Sequence, residues 1–542
     1  MANPFIISPD LRSMEGGPVG EPRRWSGGRI FTGRRYAEAL LIDDGAVVAV
    51  GTEAEVRRST PTGAEVVPLG GRVILPGLID THLHLASLAR LRGSLDLAGV
   101  RDLEDLARRV REWAAAHPTG AVIGRGLDVE RSLRGRWPSR ADLDRAVSDR
   151  PVILRHVSGH AAVGNGAALA AASVDSRTSA EDHGRVGRDP SGQPNGILFE
   201  EAMNAWTPLF SASTDEGEIV RTLDALASLG LTTVASMAVS TPELTGVRSL
   251  AAGGRLPLRV RAYVPLLRVH EFSPAEFAPV GPPGLFAVLG SKGFADGAFG
   301  TRTAWLSEPY ADAPERSGFP VESDETLAAA LESSAALGLA PALHAIGDRA
   351  VVRAARLLEP YVGRTGAPAR IEHVGLTPPA VLSLLDRVRP ALAVQPGFLW
   401  SDFWLSARLG AERTRWAYVF RTLLDRGHLV AGSSDAPVDP PDPWRGLRAA
   451  VERSDELGRS ANPDPREALT VEEAVQLYTR NAGVVLGEPA LGSLEPGGRA
   501  DLVILTSNSL GDAFRSGARA VQETWVGGAR VFDAAAREGA VS

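Results

Sequence analysis

Short apolar runs separated by amphipathic segments fill the middle of the chain. From Thr232 onward there are seven such runs, namely TTVASM, PLRVRAYVPL, LFAVLGSKGFADG, APALHAIGD, ARIEHVG, ALAVQPGF and HLVAGSSDAPV. Segments between them, such as DETLAAALESSAALG and PAVLSLLDRV, carry apolar residues at helical spacing. This alternation predicts an α/β fold with a parallel sheet. With VILPGLIDTHLHL as the first strand, the pattern predicts eight strands, the number that closes a (β/α)8 TIM-type barrel.

The two chain ends follow a different, β-like pattern with Gly-Gly and Asp-Asp-Gly turn signals. We therefore predict one small β-sandwich domain built from residues 29–75 and 485–542. The barrel takes residues 76–85 and 215–484, after an N-terminal arm of residues 1–28 that is loose or lid-like. Residues 86–214 are too many for one crossover and carry strand and helix signals of their own, which predicts an inserted α+β lobe over the barrel mouth.

Composition excludes several classes of protein and site. No run of about 18 consecutive apolar residues predicts a membrane span, and the N-terminus lacks a secretory pattern, so we expect a cytoplasmic protein without a membrane partner. The formal net charge of −7 argues against nucleic acid as a partner. The chain has no cysteine, which leaves histidine, carboxylate and lysine as candidate metal ligands.

Four histidines lie at the ends of predicted barrel strands. His82 and His84 are two positions apart on the first strand and so face the same side, while His344 and His373 end two later strands. One or two of these alone would suit hydrogen-bonded core positions. Four imidazoles converging on one barrel mouth would bury polar nitrogens without partners, and this favours a metal site.

Asp435 and Lys292 extend this set. Asp435 ends the eighth strand, where its carboxylate could cap a turn or could bind metal and accept a proton from metal-bound water. Lys292 ends the fourth strand and is the single lysine among 58 basic residues. Its ammonium would be repelled by a metal, whereas a carbamate formed with carbon dioxide is an anionic oxygen ligand that arginine cannot supply. The alternative is that this one lysine was retained by accident.

The motifs PGLIDTHLHL, SKGFADGAFGTRTA, LHAIGDRA, RIEHVGL, VQPGFLWSD and GSSDAPVDPPDPW resemble the amidohydrolase superfamily. More narrowly, they resemble amidohydrolase family 3, the branch that includes N-substituted formamide deformylases. The resemblance implies one or two divalent ions, with zinc expected, and N6-carboxylysine at Lys292. The residues it implies as ligands are His82, His84, Lys292, His344, His373 and Asp435, with Asp435, Lys292 and His344 catalytic.

The resemblance implies hydrolysis of a non-peptide C–N bond in a small amide, formamide or cyclic amide, by a metal-activated hydroxide. Three alternatives stay open: ester or lactone hydrolysis at the same site, an isomerase, and a catalytically silent small-molecule-binding protein. A small molecule is the expected partner, and a homodimer is left open.

Other side chains are candidates for substrate contact. His160, in the predicted lobe, could bind substrate or make a structural hydrogen bond. Asp296 and Arg302 follow the fourth strand and could bind substrate or form a salt bridge that fixes their loop. Glu372 precedes His373, so strand alternation points it to the opposite face and favours a structural role. The aromatic residues that could line a pocket or pack in the core are Trp137, Phe398, Trp400 and Trp404.

Overall fold

The computed structural model describes residues 21–91, 94–158, 160–178, 186–209, 216–282 and 284–538. Its central element is an eight-stranded parallel sheet in which consecutive strands are neighbours. The strands are β1 (Leu78–Leu83), β2 (Leu231–Ser236), β3 (Arg259–Pro265), β4 (Phe286–Phe294), β5 (Ala340–Ala345), β6 (Arg370–His373), β7 (Ala391–Val394) and β8 (Val430–Gly432).

The sheet is nearly closed, because residues that end or follow β1 and β8 bond to each other. The backbone N–H of Asp435 donates to the His82 carbonyl at 2.8 Å, and that of His84 donates to the Ala436 carbonyl at 2.8 Å. This arrangement confirms the predicted (β/α)8 barrel, and each predicted apolar run overlaps one of its strands.

Helices surround the sheet because their apolar residues recur along one side. In Asp348–Leu358, for example, Val351, Ala355 and Leu358 are fully buried. The α-helices of this layer are Leu85–Leu91, Glu216–Ala227, Thr241–Ala252, Pro274–Phe277, Asp324–Ala336, Asp348–Leu358, Pro379–Val388, Phe398–Ser401, Leu405–Leu409, Ala411–Thr414, Phe420–Asp425, Pro443–Glu452, Val471–Leu477 and Arg480–Val485. Three 3-10 turns accompany them at Leu266–Glu271, Glu359–Tyr361 and Pro465–Glu467.

Two smaller sheets use strands from the chain ends. One has the order Ala46–Gly51, Ala39–Asp43, Arg23–Ser26 and Glu65–Pro68. The other has the order Ala529–Asp533, Val521–Val526, Leu502–Leu505, Val73–Pro76, Arg29–Phe31 and Tyr36–Ala37, so both ends share it. The helical segments here are Glu53–Ser59, Leu510–Ser516, Gly517–Ala520 (a 3-10 turn) and Ala534–Glu538.

The predicted arm is shorter than residues 1–28. Trp25 is fully buried and packs with Trp525 and Leu40 between the two small sheets, which fixes Arg23–Ser26 as a strand. The boundary at residue 28 is therefore corrected to a position before Arg23. Residues 1–20, which make up the rest of the predicted arm, lie outside the described residues.

The lobe between β1 and β2 has its own six-stranded sheet and core. The strand order is Val186–Arg188, Pro194–Phe199, Ala161–Gly164, Val152–His156, Val122–Leu127 and Leu95–Asp96. Its helices are Leu103–Ala116, Val129–Leu133, Arg140–Asp144, Gly166–Ala171 and the 3-10 segment Glu200–Leu209. The helix Leu85–Leu91 belongs to the barrel core through Leu85 and Leu88, so the lobe starts after residue 91 and not at the predicted residue 86.

None of the helices in the described ranges is both long and apolar enough to cross a membrane.

Candidate active site and metal centre

The six predicted ligand side chains line one cavity of about 520 Å³ at the carboxyl end of the barrel. His82 lies at the end of β1 and His84 directly follows that strand, Lys292 comes from β4, and His344 and His373 come from the ends of β5 and β6. Asp435 follows β8. In this fold the carboxyl ends of the strands carry the catalytic groups, so the cavity is the candidate active site.

Each of the four histidines has one ring nitrogen occupied by a protein acceptor. The pairs are His82 Nδ1 with Glu372 Oε2 at 2.6 Å, His84 Nδ1 with the Met237 carbonyl at 3.2 Å, His344 Nε2 with the Gly297 carbonyl at 3.0 Å, and His373 Nδ1 with Gln395 Oε1 at 2.7 Å. Acceptors of this kind hold a proton on the bonded nitrogen, which leaves the other nitrogen as the candidate ligand. The histidines are therefore oriented as metal ligands usually are.

Asp435 places a carboxylate oxygen beside two of these rings. Its Oδ1 atom lies 3.2 Å from Nε2 of His82 and 3.2 Å from Nε2 of His84. Oδ1 is buried and makes no well-aligned hydrogen bond to any described residue. The candidate ligand atoms of the three residues lie within 4.8 Å of one another. A buried anionic oxygen without a donor, next to two imidazole nitrogens, fits zinc or a similar divalent cation.

The second pair of histidines adjoins this group. The rings of His344 and His373 are 4.4 Å apart between centroids, and the His373 ring is 5.0 Å from that of His82. Burial lowers the pKa of His373 to about 3 and holds the pKa of His344 well below its usual range. Both imidazoles are neutral at pH 7, which is the form that binds a metal.

Charges within the cavity set the other protonation states. Burial would raise the pKa of Asp435, but His82 outweighs this effect and the pKa lies well below its usual range. Burial and Lys292 would lower the pKa of His82, but Asp435 and Glu372 raise it overall. A cation at this position would thus compete with a proton on His82.

Lys292 is a buried amine. Its side chain is 2% exposed, and Nζ lies 3.5 Å from His82 Nε2 and 4.7 Å from the Phe294 ring centroid. Within the described part of the chain, Lys292 forms no ion pair. Burial lowers its pKa to about 8, which increases the neutral fraction of the amine near pH 7.

Glu372 supports the site in a way that strand alternation did not predict. Its two oxygens lie 2.6 Å from His82 Nδ1 and 2.6 Å from Arg370 Nε, and all three side chains are fully buried. His373 has a φ of 73°, so the chain turns there. The side chains of Glu372 and His373, although adjacent in sequence, therefore both reach the candidate centre. The spacing of Arg370 and Glu372 on one face of β6 was the available signal.

The three residues predicted to bind substrate have different surroundings. His160 lines the cavity, with Nδ1 2.8 Å from Glu200 Oε2. Asp296 is absent from the walls of both described cavities, because it is fully buried and accepts the backbone N–H groups of Ile346, Gly347 and Trp305. Arg302 is also absent from both walls and pairs with Asp312 at 2.8 Å. Asp296 and Arg302 thus fix their loop in this structure, and their predicted contact with substrate stays a prediction.

A second cavity, of about 830 Å³, meets the first at the candidate centre. The residues that line both include His156, His160, His344, His373 and Asp435. Phe398, Trp404 and Tyr418 give the second cavity an aromatic wall. Of the other predicted aromatics, Trp137 packs on His156 and Phe199, and Trp400 lies under Arg445 and Arg448.

Known proteins resemble the chain over most of its length. The model of the amidohydrolase family matches residues 65–532. YtcJ of Bacillus subtilis, which carries a provisional amidohydrolase name, is 33% identical over 89% of this chain and 94% of its own. The N-substituted formamide deformylase of Arthrobacter pascens is 26% identical over 86% of this chain and 90% of its own.

A solved structure agrees with these relatives. An uncharacterized metal-dependent hydrolase from Pyrococcus horikoshii superimposes with a TM-score of 0.74 at 30% identity, covering 90% of this chain and 98% of that one. The fold, the strand-end histidines and the family match together identify a hydrolytic enzyme with a site for a divalent metal. The chain belongs to the amidohydrolase family.

Proposed function

We propose that the protein hydrolyses a non-peptide C–N bond of a small amide, formamide or cyclic amide, with zinc as its metal and N6-carboxylysine at Lys292. One observation carries this proposal: four histidines, each with one ring nitrogen on a protein acceptor, line the same cavity as Asp435, whose buried Oδ1 has no well-aligned hydrogen-bond donor among the described residues.

A bound divalent cation supplies Lewis acidity and lowers the pKa of a water molecule. In this proposal His82, His84 and Asp435 hold one ion, and His344 and His373 hold a second where two are bound. His344 thereby takes part in catalysis as a ligand. Glu372 and Gln395 keep the imidazoles of His82 and His373 in the tautomer that binding requires.

Asp435 moves the proton of the reaction. Its carboxylate accepts a proton from the attacking water as the new C–O bond forms, and it delivers that proton to the leaving nitrogen as the C–N bond breaks. Because its pKa lies well below the usual range, Asp435 is ionised and able to accept. Burial would lower the pKa of His160, but Glu200, which accepts from Nδ1, raises it overall and favours the doubly protonated ring. In that form Nε2–H can donate to the carbonyl oxygen of the substrate.

Lys292 becomes an anionic ligand through its neutral amine. Nζ forms a bond to the carbon of carbon dioxide as one C=O π bond opens to an oxygen anion, and the nitrogen releases one proton to water, which gives a carbamate. Burial and the absence of an ion pair within the described residues favour this neutral amine. The carbamate replaces a cation that would oppose metal binding with an oxygen anion that assists it.

The proposal of a small-molecule substrate draws on the size of the site. The two cavities, of about 520 and 830 Å³, have the size of small-molecule sites. Their shared wall includes His156 and His160 of the lobe, which therefore closes one side of the barrel mouth.

The test removes metal with a chelator, reloads zinc or manganese, and measures turnover of an N-benzylformamide, a cyclic imide, a dipeptide, an aryl ester and a lactone. We expect the formamide or the cyclic imide to be hydrolysed only by the enzyme that has been reloaded with metal, and not by the chelator-treated enzyme. Turnover of only the dipeptide, the ester or the lactone would contradict the proposed bond class. Binding of these compounds without turnover of any would favour the silent binding protein. Asp435→Asn should be inactive, and the surface variant Asp425→Asn is its control.

A further inference from the structure

His156 lies where the two cavities meet and has no part in the reaction described above. It ends the lobe strand Val152–His156, and its residue is 6% exposed. It lines both the cavity of the candidate metal centre and the larger aromatic cavity. A polar ring in this position faces any substrate that occupies both.

Hydrogen bonds from Ser158 fix the tautomer of His156. The Ser158 backbone N–H donates to His156 Nδ1 at 3.1 Å, so Nδ1 is an acceptor. The Ser158 hydroxyl lies 2.8 Å from the same nitrogen and accepts the His160 backbone N–H at 3.3 Å, which leaves its own proton for Nδ1. A neutral imidazole that accepts at Nδ1 carries its proton on Nε2.

The Nε2–H group is thus an available donor. Within the described ranges no protein acceptor bonds to Nε2. The atom is also not completely buried, so a ligand in the cavity can reach it. The Trp137 ring packs on the imidazole with 5.1 Å between centroids and limits its rotation. Burial lowers the pKa of His156 to about 3, with His160 and Arg408 contributing, so the ring stays neutral over the working pH range.

We propose that His156 is a substrate-binding residue whose Nε2–H donates to a hydrogen-bond acceptor on the substituent that fills the aromatic cavity. This inference rests on the proposed function for the identity of the reacting bond. The walls formed by Phe398, Trp404 and Tyr418 suit an aryl group. The substrate class is therefore an amide with an aryl substituent that bears an ether, carbonyl or ring-nitrogen acceptor.

The experiment compares matched probes that differ only in the acceptor. N-benzylformamides carry a methoxy or an isosteric ethyl group at the ortho, meta or para position, and kcat/KM is measured with the metal-loaded enzyme. The corresponding N-benzylmethanesulfonamides have no carbonyl to hydrolyse, and calorimetry gives their Kd. We expect the methoxy member of at least one pair to be favoured by about tenfold to a hundredfold in both assays, because a site with a buried donor rejects an analogue that lacks the acceptor.

Two variants separate binding from folding. His156→Phe should abolish the methoxy preference with little change for the ethyl probes, and His156→Gln, which keeps a donor, should retain part of it. His428→Gln replaces a buried histidine outside both cavity walls and is the control. Equal kcat/KM and equal Kd for the methoxy and ethyl probes in every pair would overturn the proposal. So would a methoxy preference that persists in His156→Phe. A preference in the sulfonamide Kd without hydrolysis of any formamide would support His156 and contradict the proposed function.

Discussion

Glu372 Oε2 lies 2.6 Å from Nδ1 of His82, and both side chains are fully buried. The second Glu372 oxygen meets Arg370 at 2.6 Å, so one carboxylate joins a buried guanidinium to the first candidate ligand. The contact keeps the proton of His82 on Nδ1 and turns Nε2 toward Asp435. Carboxylates that orient ligating histidines in this way contribute to metal affinity.

Replacement of this carboxylate should weaken metal binding. In Glu372→Gln the amide can still accept from His82, but the negative charge that favours the oriented ring is lost. We expect zinc affinity to fall about tenfold to a hundredfold, measured by competition with a chromogenic chelator. Glu473→Gln, which breaks a pair with Arg421 away from both cavity walls, is the control and should keep wild-type affinity. Unchanged affinity in Glu372→Gln would contradict the orienting role.

Lys292 should not tolerate arginine. Lys292→Arg keeps a cation in the cavity and cannot form a carbamate, so we expect kcat/KM to fall by about a hundredfold or more, together with metal content. Lys292→Glu supplies a carboxylate oxygen and should retain more zinc than Lys292→Arg, as measured by elemental analysis. Equal activity of Lys292→Arg and the wild type would exclude the carbamate.

The barrel was predictable because its strands are short apolar runs that end in polar residues, as in β5, where His344 precedes a helix. The gathering of the histidines followed from those strand ends. The pairing of His82 with Glu372, which are 290 positions apart, was not predictable. It depends on the turn at His373, whose φ of 73° breaks the alternation that the sequence pattern assumes. The tautomer of His156 depends on the loop conformation that turns the Ser158 backbone N–H toward its ring, and the sequence does not indicate that conformation.

The raised pKa of the Asp402 carboxyl should make the thermal stability of the protein depend on pH. Its Oδ2 accepts from the Tyr418 hydroxyl at 2.6 Å, it has no ion pair with any described residue, and burial raises its pKa to about 7. Because the folded pKa exceeds the ordinary value, the folded state holds the proton more tightly, and this stabilisation is lost as pH rises through 7. We expect Asp402→Asn to raise Tm relative to the wild type more at pH 8 than at pH 5, by calorimetry.

Asp425→Asn removes a carboxylate that is 63% exposed and serves as the control for loss of charge. An Asp402→Asn shift that is the same at both pH values would contradict the raised pKa.

Substitutions of Asp296 and Arg302 should have different kinetic effects, although both residues follow β4. Asp296→Ala removes the acceptor of three backbone N–H groups beside His344, whose Nε2 lies 3.6 Å from Asp296 Oδ1, so we expect lower Tm and lower kcat. Arg302→Ala breaks a partly exposed pair with Asp312 and should leave KM within about twofold of the wild type. A large rise in KM for Arg302→Ala would restore the substrate-binding role predicted from sequence.

The location of the metal tests the central claim most directly. A crystal structure of the zinc-loaded protein, with data collected on both sides of the zinc absorption edge, locates the ion by its anomalous scattering. We expect a peak at about 2.0–2.2 Å from Nε2 of His82, Nε2 of His84 and a carboxylate oxygen of Asp435, with added density for a carboxyl group on Lys292 Nζ. Zinc bound only elsewhere, with these side chains unligated and Lys292 unmodified, would contradict the account.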